Sequence, residues 1–141
     1  MDTGHWILSE GIVLKEIPFG FIYEITNTVT NKKYIGKKQC NSRIKLKPLK
    51  GRKNKRISIK ESDWKDYTGS SKELNEDITK FGKDKFLFKI LKICGSKWEL
   101  GYFEIKEQIE REVILRDDYY NGVLNVRIGR PPRLLLNQNK V

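Results

Sequence analysis

Two short apolar runs facing each other across a polar turn constrain this chain more than any other feature. Between Gly20 and Gly36 the sequence reads GFIYEITNTVTNKKYIG. The runs Phe21–Ile25 and Tyr34–Ile35 are β-branched and aromatic, and Asn27, Thr30 and Asn31 lie between them. That composition predicts two strands joined by a turn. Side chains alternate along a strand, so Phe21, Tyr23 and Ile25 share one face while Ile22 and Glu24 take the other. A glycine at each end permits close backbone approach.

The rest of the chain predicts a small α/β (α+β) domain. Residues 1–19 include Trp6, Ile7, Leu8 and Ile12, enough for an N-terminal arm or an extra strand. Lys37–Lys60 reads as a loop-rich insertion broken by Pro48, Gly51 and Asn54, with Arg56–Ile59 able to extend. Trp64 and Tyr67 fit one helical turn, and Ser70 or Ser71 caps a helix over Lys72–Phe81 that stops at Gly82. Phe86–Cys94 reads as a central strand, apolar on both faces. A second helix is expected from Lys97 to about Leu115, with Tyr102, Ile105, Ile109 and Val113 as its stripe. A turn at Asp117–Gly122 then leads into a short strand, Val123–Ile128, and a basic tail over 129–141.

Charge narrows the partners. The 141 residues carry a net charge of +11, unevenly spread: eleven Lys or Arg and no acid fall between Lys37 and Lys60. Such a block repels itself unless it faces a polyanion, which points to nucleic acid. No apolar run has membrane-spanning length, so no membrane partner is expected. The N-terminus does not resemble a secretion signal. Cys40 and Cys94 are far apart, which suits a reduced, cytoplasmic protein, and with one histidine a multi-ligand transition-metal site is not expected.

Gly20 with Ile22-Tyr23, then Tyr34-Ile35-Gly36, resembles the signature of the GIY-YIG nucleases, phage-type and homing-type endonucleases in particular. Ten residues separate Tyr23 from Tyr34, as in that family, and Phe21 is inserted in the first tripeptide. The element order over roughly residues 20–128 is similar to the family's three-stranded antiparallel sheet flanked by helices, here with a basic insertion at 37–60. The resemblance implies a metal-dependent endonuclease acting on duplex DNA, with one Mg²⁺ (or Mn²⁺) held by a helix glutamate. Tyr23 and Tyr34 take the tyrosine roles. The phosphate-clamping arginine is Arg43, with Arg52 and Arg56 as rivals, and Lys37 and Lys38 lie beside the motif. Glu104 is the preferred glutamate, following Tyr102-Phe103, while Glu110 precedes Val113 and Ile114 as the family pattern also allows. Asn121 or Asn125 completes the site. The family's helix histidine is missing, since His5 lies outside the matched stretch.

From its charge, the insertion supplies the phosphate-contacting residues Lys50, Arg52, Lys53, Lys55 and Arg56. The stretch Arg127–Arg133 resembles a minor-groove hook, or else forms a loose basic arm. Two other functions fit the same residues. One is a non-cutting nucleic-acid-binding or regulatory module on this fold, and the other is an RNA binder that stacks bases on Trp64, Tyr67, Tyr119 and Tyr120.

Overall fold

The computed structural model describes residues 1–124 and 127–132. Its centre is a four-stranded mixed sheet of β1 (Trp6–Leu8), β6 (Phe86–Cys94), β2 (Gly20–Asn27) and β3 (Lys33–Gln39), in that spatial order. β2 pairs antiparallel with both β3 and β6, and β1 joins the far side of β6 in parallel. The mixed α+β class is as the sequence predicts, and the N-terminal apolar patch adds a fourth strand to the expected three.

The predicted alternation on β2 holds. Phe21, Tyr23 and Ile25 enter one cluster with Trp6, Trp64, Leu74, Phe86, Phe88 and Ile90. Ile22 enters a second, with Ile35, Cys94, Leu100, Val113 and Tyr119. Each face is covered by a helix. α1 (Lys72–Phe81) brings Leu74 to the first, and α2 (Lys97–Glu110) brings Leu100 to the second. Both helices start on serine caps. Ser71 accepts from the Leu74 amide at 3.2 Å, and Ser96 from the Glu99 amide at 3.2 Å. The Glu99 carboxylate reaches back to the Gly95 amide at 3.1 Å, a reciprocal cap. Cys40 and Cys94 are free and buried, and burial pushes both thiols up to about 12.

Four sequence expectations change. β6 is central, but its first half is apolar on one face only: Phe86, Phe88 and Ile90 point inward while Leu87 and Lys89 are exposed. The register against β2 shifts between Ile22 and Tyr23, which pair with Lys92 and Ile90, so Leu91 is the extra residue. Past that bulge Ile93 packs on the first cluster and Cys94 on the second, so the inward phase moves from even to odd positions.

α2 ends at Glu110, not near Leu115. Glu112 takes a left-handed φ of 54°, and Val113–Leu115 forms a separate 3₁₀ turn. Its inward residues are Leu100 and Gln108, whereas Ile109 of the expected stripe is 59% exposed. Val123 and Leu124 form no strand, and Asn125 and Val126 lie outside the described residues. Finally, the insertion is not loop-rich. β4 (Asn41–Leu46) and β5 (Arg56–Glu61) pair along their full length as a separate two-stranded ribbon. Among the described residues, no helix is long and apolar enough to cross a membrane.

Candidate active site

Two glycines let two tyrosines meet. A Cβ at Gly36 would collide with the Tyr23 hydroxyl, so the phenol passes beneath β3 only because that position is glycine. Gly69, at φ +83°, closes the other side; a Cβ there would stand 3.2 Å from both the Tyr23 hydroxyl and the Tyr34 ring. Between them the two rings lie 6.1 Å apart, centroid to centroid, and Tyr67 meets Tyr23 edge-on at 6.2 Å.

The tyrosines differ in access. Tyr23 is 1% exposed, and burial raises its phenol well above the ordinary value. Tyr34 is half-buried, its hydroxyl 3.1 Å from Ser70 Oγ, and burial raises it too while the Ser70 hydrogen bond opposes the shift. Both are therefore neutral hydrogen-bond donors at neutral pH.

Tyr34 opens onto a cavity of about 340 Å³, lined also by Ser70, Ser71, Glu104, Gln108, Tyr120, Asn121, Gly122 and Val123. α2 supplies Glu104 and Gln108 because residues four apart share a helix face. Burial raises the Glu104 carboxyl above the ordinary range, and Lys37 opposes the shift from 3.7 Å. Gln108 and Asn121 fix the strand behind the pocket. Asn121 Oδ1 accepts from the Ile35 amide at 3.0 Å, and its Nδ2 donates to the Ile35 carbonyl at 2.8 Å. Gln108 Nε2 donates to the same carbonyl at 3.1 Å.

The fold thus gathers Tyr23, Tyr34, Lys37, Glu104 and Asn121 in one place. Lys38 sits nearby, over the Tyr67 ring at 4.0 Å and 2.8 Å from Asp63. Glu110 is not in the pocket; it is exposed, 4.0 Å from Lys106. Arg43 lies on β4 beside Phe19, Asn41, Ser42 and Ile59, in a different hollow. Lys50, Arg52, Lys53, Lys55 and Arg56 are exposed at or beside the ribbon's tip. Asn125 and Arg133 lie outside the described residues. His5 packs on Phe88 at 3.8 Å, its Nε2 2.9 Å from the Tyr67 carbonyl.

The sequence treats Ser70 and Ser71 only as caps and passes over Gln108 and Tyr120 as pocket residues. Two signals were available for the first three. Gln108 follows Glu104 by four, on the same face, and a serine pair at a helix start offers hydroxyls and amides to an anion. Tyr120 had no such local signal; it arrives because the chain after α2 returns along β3, with the Lys33 amide donating to Asp118 O at 2.9 Å and the Tyr120 amide to Lys33 O at 2.7 Å.

The comparisons with known proteins agree on one family. The domain described as "Putative endonuclease segE, GIY-YIG domain" matches residues 6–124, starting at the first residue of β1. The chain is 32% identical over 104 residues to the "Putative endonuclease segE" of Enterobacteria phage T4, covering 73% of this chain and 40% of that protein. It therefore spans about two fifths of that relative's length. No solved structure matches it. With residues 6–124 of its 141 matched, the chain belongs to the GIY-YIG endonuclease family.

Proposed function

We infer that this chain is a divalent-metal-dependent endonuclease that hydrolyses phosphodiester bonds of duplex DNA at the Tyr34–Glu104 pocket. One observation carries this: Tyr34, Ser70, Glu104 and, through its ion pair, Lys37 converge from three elements on a single cavity. Family membership supports the hydrolysis. Hydrolysis needs a positioned water, neutralisation of charge developing on the phosphate, and a stabilised leaving alkoxide.

A single carboxylate on the pocket wall suits Mg²⁺ or Mn²⁺, which take one or two protein carboxylates and fill the remaining positions with water and phosphate oxygens. Among the described residues no group of three or more His, Cys, Asp or Glu stands together, and Glu104 is the carboxylate that lines the cavity. A bound divalent cation supplies charge neutralisation at the phosphate. Lys37, 3.7 Å from Glu104, would meet a phosphate oxygen beside that carboxylate. This assigns to Lys37 the clamp that position along the chain assigned to Arg43, which stands on the ribbon. Tyr34 holds the attacking water through its hydroxyl. Tyr23, buried and neutral, orients Tyr34 from below. Ser70 and Ser71, at the start of α1, offer hydrogen bonds to a phosphate.

Supercoiled plasmid, incubated with the protein in Mg²⁺ or Mn²⁺ and in EDTA, tests this. Expected is relaxation or linearisation with metal and none with EDTA. Glu104→Gln should lower the rate by about 100-fold or more, the scale of a lost acid–base or charge-stabilising group, with duplex affinity kept. Glu110→Gln should cut normally. If Glu110→Gln is the inactive variant, the carboxylate assignment is wrong. If the unaltered protein binds but cuts with neither metal, it is a binding or regulatory module. Preference for RNA over DNA would overturn the substrate.

A further inference from the structure

We propose that the β4–β5 ribbon enters the major groove of B-form duplex DNA tip-first and holds the substrate while the pocket cuts. This rests on duplex DNA being the substrate, and it adds where and how the duplex is gripped.

Four observations support it. The ribbon is built apart from the core: its strands pair only with each other, and no residue of Asn41–Glu61 belongs to either buried cluster. Its base is fastened, however. The Ser62 amide donates to the Cys40 carbonyl at 2.7 Å, Ser62 Oγ to the Gln39 carbonyl at 2.7 Å, and Trp64 Nε1 to Glu61 Oε1 at 2.8 Å. The sole acid on the two strands, Glu61, is thereby committed to the base. Third, register places cations on both faces. Arg43 and Lys45 share a face with Ile57 and Ile59, and Arg56 and Lys60 share the other with Ile44 and Leu46. A ribbon lying flat on a protein or along one phosphate row needs cations on one face only. A ribbon standing in a groove has a phosphate wall on each side. Fourth, the tip between the strands adds Lys47, Lys50, Arg52, Lys53 and Lys55, aimed toward the groove floor in this placement.

Dimensions select the groove. Each strand has six residues, so the ribbon is about 20 Å long at about 3.3 Å per residue. A sheet with its side chains is about 10 Å thick. The major groove of B-DNA is about 12 Å wide and admits a two-stranded ribbon, whereas the minor groove is about 6 Å wide. Duplex RNA has a deep, narrow major groove that side chains do not reach.

The ribbon's attachment also suits this. It is inserted between the end of β3, where Lys37 and Lys38 follow the motif glycine, and the segment that leads through Trp64 to Ser70. Both roots of the ribbon thus run directly into strands and turns that carry pocket residues. A duplex held by the ribbon is tethered at the pocket's own strand.

The test uses displacement of groove-specific dyes from a mixed-sequence duplex, methyl green for the major groove and distamycin for the minor. One variant replaces residues 42–60 by Asn-Gly, a two-residue turn that keeps Asn41 and Glu61 and their contacts. A second keeps the full chain and changes Arg43, Lys45, Arg56 and Lys60 to Gln. The unaltered protein should displace methyl green and leave distamycin bound. Both variants should need at least tenfold more protein for the same displacement. Duplex RNA of the same sequence should bind at least tenfold more weakly than the DNA. Displacement of distamycin instead, binding without displacing methyl green, or equal displacement by both variants would each overturn the proposal. So would equal affinity for duplex RNA. Plasmid cutting is read separately: methyl green displacement by a protein that never cuts removes the nuclease reading and leaves the ribbon's role standing.

Discussion

Tyr23 and Ile59 are both strand residues of the same short chain, one 1% exposed and the other 69%. The first sits on a strand with a helix against each face, and the second on a ribbon with solvent against both. The contrast teaches that strand formation and core formation are separable here. β2 exists because both of its faces bury apolar side chains, so its register cannot slip without turning Phe21, Tyr23 and Ile25 out of their cluster. β4 and β5 exist because their ladder closes on a fastened base. The pocket therefore inherits its rigidity from the core, while the ribbon is free to carry charge that no core would accept.

Stability should separate the two regions most strongly. Trp64, fully buried and bonded to Glu61, should cost about 3–5 kcal/mol when changed to alanine. Ile59→Ser on the ribbon should stay within about 0.5 kcal/mol. Urea unfolding measures both, and comparable losses would mean that the ribbon shares the core after all.

Salt dependence should reverse the ranking. Changing Lys50, Arg52, Lys53, Lys55 and Arg56 together to Gln should flatten the plot of log affinity against log salt by up to about 4 or 5, since each phosphate contact contributes about 0.9. Unfolding by urea should be unaffected. A slope unchanged by five substitutions would move the phosphate contacts back to the body.

The third expected difference lies in the body alone. Burial, helped by Lys83, lowers the His5 pKa to about 4. An unfolded histidine titrates near about 6.5. As pH falls between those values the unfolded chain takes up a proton that the folded chain refuses, so stability declines through that window and is level above it. His5→Gln should remove up to one proton's worth of that slope. Urea midpoints at half-unit pH steps would show it, and a slope identical in the variant would reassign the acid sensitivity elsewhere.

What was legible in the sequence was what is local. Ser71 and Gly82 mark α1 to the residue because caps act within one turn. The β2–β3 hairpin follows from alternation that a buried strand must show. The ribbon was not legible as strands, because cations interleaved with isoleucines on both faces read as a loop when no face is buried; Pro48, Gly51 and Asn54 located its turn all the same. Arg43 was placed by counting from Gly36, and counting does not reveal that the chain leaves the sheet at Asn41. The helix stripe pointed to Ile109, since an apolar side chain is the natural inward residue. Gln108 is buried instead, and its partner is a carbonyl 73 residues back in sequence. Of the two glutamates, Glu104 shares a face with Leu100 and Gln108, a relation that becomes decisive only once the inward face is known.

The grip on Ile35 has a consequence beyond positioning. β3 is the last strand of its sheet, and a terminal strand ordinarily offers a row of free amides and carbonyls to any passing chain. At Lys33 that row is closed by Asp118 and Tyr120, and at Ile35 by the side-chain amide of Asn121, helped by Gln108. Asn121 presents a donor and an acceptor to Ile35 as a neighbouring peptide would, yet it has no further residues with which to continue a ladder. At Lys33 and Ile35 the strand that bears Tyr34 is thus capped by a counterfeit of a fifth strand, which keeps another chain from pairing at those two residues.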